Sequence, residues 1–139
     1  MSTEEPIMSG YELITLIDRA EAGDAMACIT LGRLYFSGLG VPRDAKRAET
    51  LYYSAELSGE ADILRMLGAM YLNGDCARED NTRAAWLFKK AAQKNDALSQ
   101  YYIGQMYREG IGVEISAAKA DMWLSRAAKN GIRRASAKT

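Results

Sequence analysis

The sequence predicts an all-α fold made of repeated helix-turn-helix units, and three observations predict it. The segments ITLGRLYFSGLGV, RMLGAMYLNGDCA and YIGQMYREGIGV align without gaps, with Gly32, Gly68 and Gly104 spaced 36 residues apart. Tyr35, Tyr71 and Tyr107 keep that spacing, as do Gly38, Gly74 and Gly110, then Ala48, Ala84 and Ala120, then Ala55, Ala91 and Ala127. Self-similarity at a fixed period of this length is the mark of a repeat architecture. Second, apolar residues within each segment recur at helical rather than strand spacing. Third, residues suited to helix caps fall at the expected ends of every segment. The chain has only two prolines, which suits uninterrupted helices.

The elements follow in order. Residues 1–9 are acidic, lack the charged-then-apolar layout of a signal peptide, and are expected to be flexible. A cap helix is expected over 10–23, occupying the place of a second helix in an incomplete unit. Gly23 sits 36 residues before Gly59, which fixes its phase. The repeats are expected over 25–60, 61–96 and 97–132, with a tail at 133–139. In the first repeat a helix spans Ala25 to Ser37, with Ala27, Leu31, Leu34 and Tyr35 on one face. Gly32 lies inside that stripe. Glycine in a helix costs about 1 kcal/mol relative to alanine, so its recurrence points to close approach by a neighbouring helix. Gly38 ends the helix in left-handed geometry, and Gly38 to Arg43 forms the turn. Asp44 caps the second helix, as Asp80 and Ser116 do later. Ala48, Leu51, Tyr52 and Ala55 form its inner stripe. Gly59, Asn95 and Gly131 close the second helices, being tolerant of left-handed geometry.

Composition excludes several classes of function. The chain has 139 residues, 48% hydrophobic and 26% charged, which suits one ordinary globular domain. Eighteen basic residues balance eighteen acidic ones, whereas a nucleic-acid binder shows a basic excess. The charge is graded along the chain. Met1 to Asp24 holds one basic and six acidic residues, and Ala97 to Thr139 holds seven basic and three acidic. That gradient would support, at most, weak and salt-sensitive self-association, so a monomer or weak homo-oligomer is expected. No apolar run approaches a membrane span, and a cytoplasmic location is the default expectation.

No set of residues resembles a catalytic, cofactor or metal site. Histidine is absent, which removes the commonest acid-base group and metal ligand. The string GLGV has no preceding strand and no following lysine-serine or lysine-threonine pair, so a helix-helix turn accounts for it better than a phosphate loop. Cys28 falls near the core stripe and reads as a small buried hydrophobe rather than a reactive thiol. Cys76 falls in a turn with no cysteine or histidine near it in sequence. Glu79 and Asp80 adjoin, but capping accounts for Asp80. Arg133-Arg134-Ala135-Ser136 looks like a basic-directed kinase site, but the match is short and a solvated chain end is the better explanation.

The chain resembles the Sel1-like repeat family, whose unit looks like A-x-x-L-G-x-L-Y-x-x-G-x-G-V-x-x-D followed by K-A-x-x-W-x-x-K-A-A-x-x-G. The first repeat matches at Leu31, Gly32, Leu34, Tyr35, Gly38, Gly40, Val41, Asp44 and Ala48. The third matches at Gly104, Tyr107, Gly110, Gly112, Val113, Ala120, Trp123, Ala127, Ala128 and Gly131. The second departs at Cys76 and Ala77 in its turn, and Leu87 fills its tryptophan slot while Trp86 stands one position earlier. The resemblance implies a right-handed α/α solenoid related to tetratricopeptide repeats, and a role as adaptor or scaffold. Bacterial members of the family occur in signalling, host-interaction, secretion and toxin-immunity settings.

A binding face is read from the helical wheel. With Leu31 pointing inward, positions 29, 33 and 36 point outward, as do their counterparts one and two repeats on. They carry Ile29, Arg33 and Phe36, then Arg65 and Leu72, then Tyr101, Gln105 and Arg108, flanked by Met66 and Tyr102. Large apolar groups mixed with arginine are what an interface uses. Packing against the next repeat is the competing account for Phe36 and Leu72. The expectation is a protein-protein interaction module that holds a peptide or partner in a concave groove, with no cofactor and no catalysis. A self-assembling element, or a toxin-immunity regulatory protein, is the alternative.

Overall fold

A computed structural model describes residues 8–74 and 76–136, and the described residues form helices and turns without strands. They divide into two compact units that meet in sequence at Ser58 and Gly59.

The first unit holds α1 (Gly10–Glu21), α2 (Ala25–Ser37) and α3 (Ala45–Glu56). Helix α1 begins in a capping box: Ser9 Oγ accepts from the Glu12 amide at 3.2 Å, and the Glu12 carboxylate accepts from the Ser9 amide at 3.0 Å. Asp24 caps α2 by accepting from the Ala27 amide at 3.1 Å, and it pairs with Arg19 at 2.7 Å. The Arg19 hydrogen bond, followed by the Ala27 amide, holds the Asp24 carboxyl below its ordinary value. A depressed folded-state value means that this small contribution is present above the ordinary carboxylate range and fades as pH falls through the lowered value.

The second unit holds α4 (Ala61–Asn73), α5 (Asn81–Gln93), α6 (Ala97–Glu109), α7 (Ala117–Lys129) and the short α8 (Arg133–Ser136). Its core gathers Ala84, Ala85, Phe88, Ala92, Ile103, Met106, Tyr107, Ala120 and Trp123. A smaller cluster of Leu124, Ala127 and Ala135 receives Tyr101, Ala128 and Ile132. The segment expected as a tail therefore starts with a helical turn, and Ala135 is buried within it.

The helix ends named from the sequence are found where expected. Asp44, Asp80 and Ser116 accept from the amides three residues on. Gly38, Gly74 and Gly110 end their helices at φ of 73°, 72° and 70°. Among the described residues Asn95 is the non-glycine residue with positive φ, and its φ of 69° equals that of Gly59. The turns share a further bond: the Asp44, Asp80 and Ser116 amides donate to the carbonyls of Tyr35, Tyr71 and Tyr107 at 2.8 to 2.9 Å.

The recurring helix glycine has the cause expected of it. A Cβ on Gly32 would lie 2.5 Å from Cε1 of Tyr52, and one on Gly104 would lie 2.8 Å from Cγ of Leu124. On Gly68 it would meet the Phe88 ring at 3.2 Å. Tyr52, Phe88 and Leu124 occupy one register position, so each pair of helices crosses at the same point. The alanines at 48, 84 and 120 and at 55, 91 and 127 are essentially inaccessible. Helix α1 carries Glu12 and Arg19 at those alanine positions, so that face of α1 is polar rather than shaped for an apolar helix.

The two kinds of glycine contact predict different responses. Alanine gains about 1 kcal/mol in helix propensity, while overpacking a filled core costs about 1–3 kcal/mol. Gly32→Ala should lose about 1–2 kcal/mol in urea unfolding, because the Tyr52 ring is buried and cannot retreat. Gly68→Ala, with the looser contact, should be close to neutral.

Candidate functional site

The candidate face lies on the first helix of each repeat, on the side away from the second helix. In the first unit α2 supplies Ile29, Arg33 and Phe36. Ile29 does not point to solvent: it is 1% exposed and belongs to the core. The wheel placed it outward because it considered one helix partner only, whereas an α-helix inside a layered fold buries more than one stripe. Arg33 is exposed and carries no partner among the described residues. Phe36 is half-buried beneath the Arg43 guanidinium, 5.6 Å from its ring centre, and Arg43 Nε also donates to the Phe36 carbonyl at 3.0 Å.

In the second unit the face is built by α4 and α6. Arg65 was expected on the partner-facing strip, and its guanidinium is engaged within the chain. Its guanidinium donates to Asp96 at 2.6 Å, with Asp62 at 3.3 Å on the other side. Asp96 meanwhile caps α6 through the Ser99 amide and hydroxyl at 3.0 and 2.6 Å. Arg65 thus ties α4 to the start of α6, and its burial follows from that pairing. Tyr101 was expected to point outward, but it is half-buried against the cluster around Ala135. The Arg134 guanidinium stacks 5.3 Å from its ring centre, and its hydroxyl accepts from Gln105 Nε2 at 3.1 Å. Tyr102 packs its ring 5.1 Å from Phe88, and Leu72 leans on the same core. Met66 is half-buried, and Arg108 is exposed without a partner among the described residues. Gln105 holds the least settled group: its Oε1 is buried and accepts no hydrogen bond among the described residues. Of the residues expected on this face, Met66, Leu72, Tyr102 and Gln105 are half-buried and Arg108 is exposed.

Two features escaped the sequence reading. Arg47, Arg83 and Lys119 lie over Tyr35, Tyr71 and Tyr107 at 5.1, 5.9 and 5.4 Å. The signal was visible: a cation stands three residues after each cap, 12 residues beyond each tyrosine. The other is Gln100, 2% exposed, whose Nε2 donates to the Ala92 carbonyl at 3.2 Å and to Asn95 Oδ1 at 3.3 Å. Its Oε1 accepts from Asn130 Nδ2 at 2.8 Å. Cys28 occupies the same register in the first repeat and donates to the Ala20 carbonyl at 3.5 Å. Burial, then the Asp24 charge, pushes its thiol up, as expected of a structural cysteine. Cys76 is half-buried. Among the described residues no group of three or more His, Cys, Asp and Glu side chains could hold a metal ion, and no helix is long and apolar enough to cross a membrane.

The Arg65 pairing yields a prediction about stability. Truncating one partner of a largely buried, charge-assisted pair leaves the other unsatisfied, at about 1–3 kcal/mol. Arg65→Ala should therefore lower stability by roughly that amount in chemical denaturation, discounted toward the lower end because the arginine side chain is 29% exposed. Arg108→Ala should change it by less than about 0.5 kcal/mol.

Comparison with known proteins agrees with this geometry. The Sel1 repeat profile matches residues 25–59, 62–96 and 97–132. A Sel1 repeat protein from Oxalobacter formigenes is 30% identical, with a TM-score of 0.67 over 88% of this chain and 92% of that one. A protective antigen of uropathogenic Escherichia coli strains, displaying an SLR fold, is 33% identical with a TM-score of 0.72 over 88% of this chain. This chain spans 26% of that antigen. Cysteine rich protein B of Helicobacter pylori shares the fold at 21% identity, with a TM-score of 0.60 over 88% of both chains. No curated protein matches the chain. Proteins built from these repeats are generally interaction modules without catalysis. With three repeats matched in the phase that their glycines set, the chain is an all-α solenoid-class protein and belongs to the Sel1 repeat family.

Proposed function

We propose that the chain is a protein-interaction module that holds a segment of another protein against the outward faces of α4 and α6. The observation that carries this reading is Arg108, exposed and without a partner among the described residues, on the same helix as the half-buried Tyr102 and Gln105. On α4, Met66 and Leu72 add half-buried apolar groups. Aromatic residues and arginine supply most of the binding energy at such surfaces. The free Arg108 favours a segment with a carboxylate within its reach. In the first unit, Arg33 and Phe36 offer a similar cation and ring. An adaptor or scaffold role follows from such binding, and a cytoplasmic setting is consistent with the reading.

The test is selection of binding peptides from a displayed library on the full chain, followed by substitution. Arg108→Ala should weaken the selected peptides about tenfold or more, and Gln105→Leu should weaken them while holding or raising the melting temperature. Peptides that bind both variants at full strength would place the contact elsewhere.

A further inference from the structure

The first unit contains a pocket of about 300 Å³ over α2, with α1 and α3 as its walls. The second unit has the same three-helix arrangement in α5, α6 and α7, exactly two repeat lengths on, so the two can be compared residue by residue. In the second unit only the inner part of this space, over Ile103 and Tyr107, is covered, while the part beside Gln93, Gln100 and Asn130 stays open as a pocket of about 330 Å³. Trp123 is 4% exposed and packs with Ala92, Ile103 and Tyr107, while Arg126 lies 4.9 Å from its ring centre. In the first unit the receiving surface is preserved as Ala20, Leu31 and Tyr35, all of which line the pocket. The filling groups are not preserved. Leu51 stands for Trp123, Cys28 for Gln100, Ser54 for Arg126, and Gly23 and Ser58 for the Asn95 and Asn130 that line the open end of the groove. Every replacement is smaller, and Leu51 remains half-buried where the larger Trp123 is covered.

We infer that this pocket is an anchor site for a tryptophan side chain of a partner protein, which would occupy the place that Trp123 occupies in the second unit. This rests on reading the chain as an interaction module. The chemistry of the rim fits an indole. Arg47, held 5.1 Å over Tyr35, offers a cation to the ring face. An indole N–H requires an acceptor when buried. The Glu21 carboxylate lines the pocket with no partner among the described residues, and Ser54 lies on the opposite wall.

The test uses N-acetyltryptophanamide, a neutral probe, titrated into the labelled full chain and followed by amide NMR. The expected result is saturable shifts at Ala20, Cys28, Leu31 and Ser54, with half-saturation on the order of millimolar, as befits a single side chain. Leu51→Trp should fill the pocket from within, raise the melting temperature and weaken the probe at least tenfold. Glu21→Ala, an exposed change that should leave folding intact, should weaken it about threefold or more. Absence of saturable shifts, or shifts of equal strength in Leu51→Trp and Glu21→Ala, would overturn the assignment. The two readings fail separately. Peptide binding at Arg108 without probe binding overturns the pocket alone, and probe binding without any peptide or protein ligand overturns the interaction reading.

Discussion

At three places a helix glycine lies against a side chain of a neighbouring helix with little or no room for a Cβ between them. Gly32 faces Tyr52, Gly68 faces Phe88 and Gly104 faces Leu124. Much of the remaining order follows from these crossings. Once the helices approach this closely, only alanine fits the flanking positions of the second helix, one turn before and one turn after. The same proximity brings the end of the first helix beside the start of the second. There the tyrosine carbonyl receives the cap residue's amide, and the ring lies under a cation from the first turn. Helix interior glycines are unfavourable in isolation, so their stabilising effect is exerted through the packing they permit.

Legibility from sequence tracked the range of the interaction. Caps and helix ends depend on residues three or four apart, and the sequence placed the caps at Asp44, Asp80 and Ser116 and the ends at Gly38, Gly74 and Gly110. The repeat phase was legible because the same crossing recurs three times. What stayed hidden was the fate of outward-facing side chains. Arg65 finds Asp96 across 31 residues, and no pattern within either helix announces that pairing. Tyr101 lies beneath Arg134 because the chain end coils into a helical turn. Ile29 failed for a related reason, since one wheel with one inward direction describes a helix that has a single neighbour.

These failures sharpen the candidate face. Residues committed to internal pairs leave it, and what stays is a cation, an amide with an unfilled acceptor and a group of half-buried apolar side chains. Exposed aromatics elsewhere are less available than their exposure suggests. Trp86 is 44% exposed, yet Arg83 and Lys90 lie over its ring at 5.3 and 4.8 Å. Arginine over aromatic rings recurs throughout the chain, so much of its positive charge is engaged with ring faces rather than with carboxylates.

Cys28 and Cys76 fall one in each compact unit, and their surroundings differ. A thiol reacts as its thiolate, and Cys28 is closed to solvent with its ionisation suppressed. Alkylation there must wait until the first unit opens, whereas the half-buried Cys76 sits in a turn that small fluctuations can expose. The molecule thus carries a chemical clock in each unit. Under a small thiol reagent the Cys28 clock runs at the rate set by opening of the helices around it, so labelling kinetics would read the local stability of the first unit without any engineered probe.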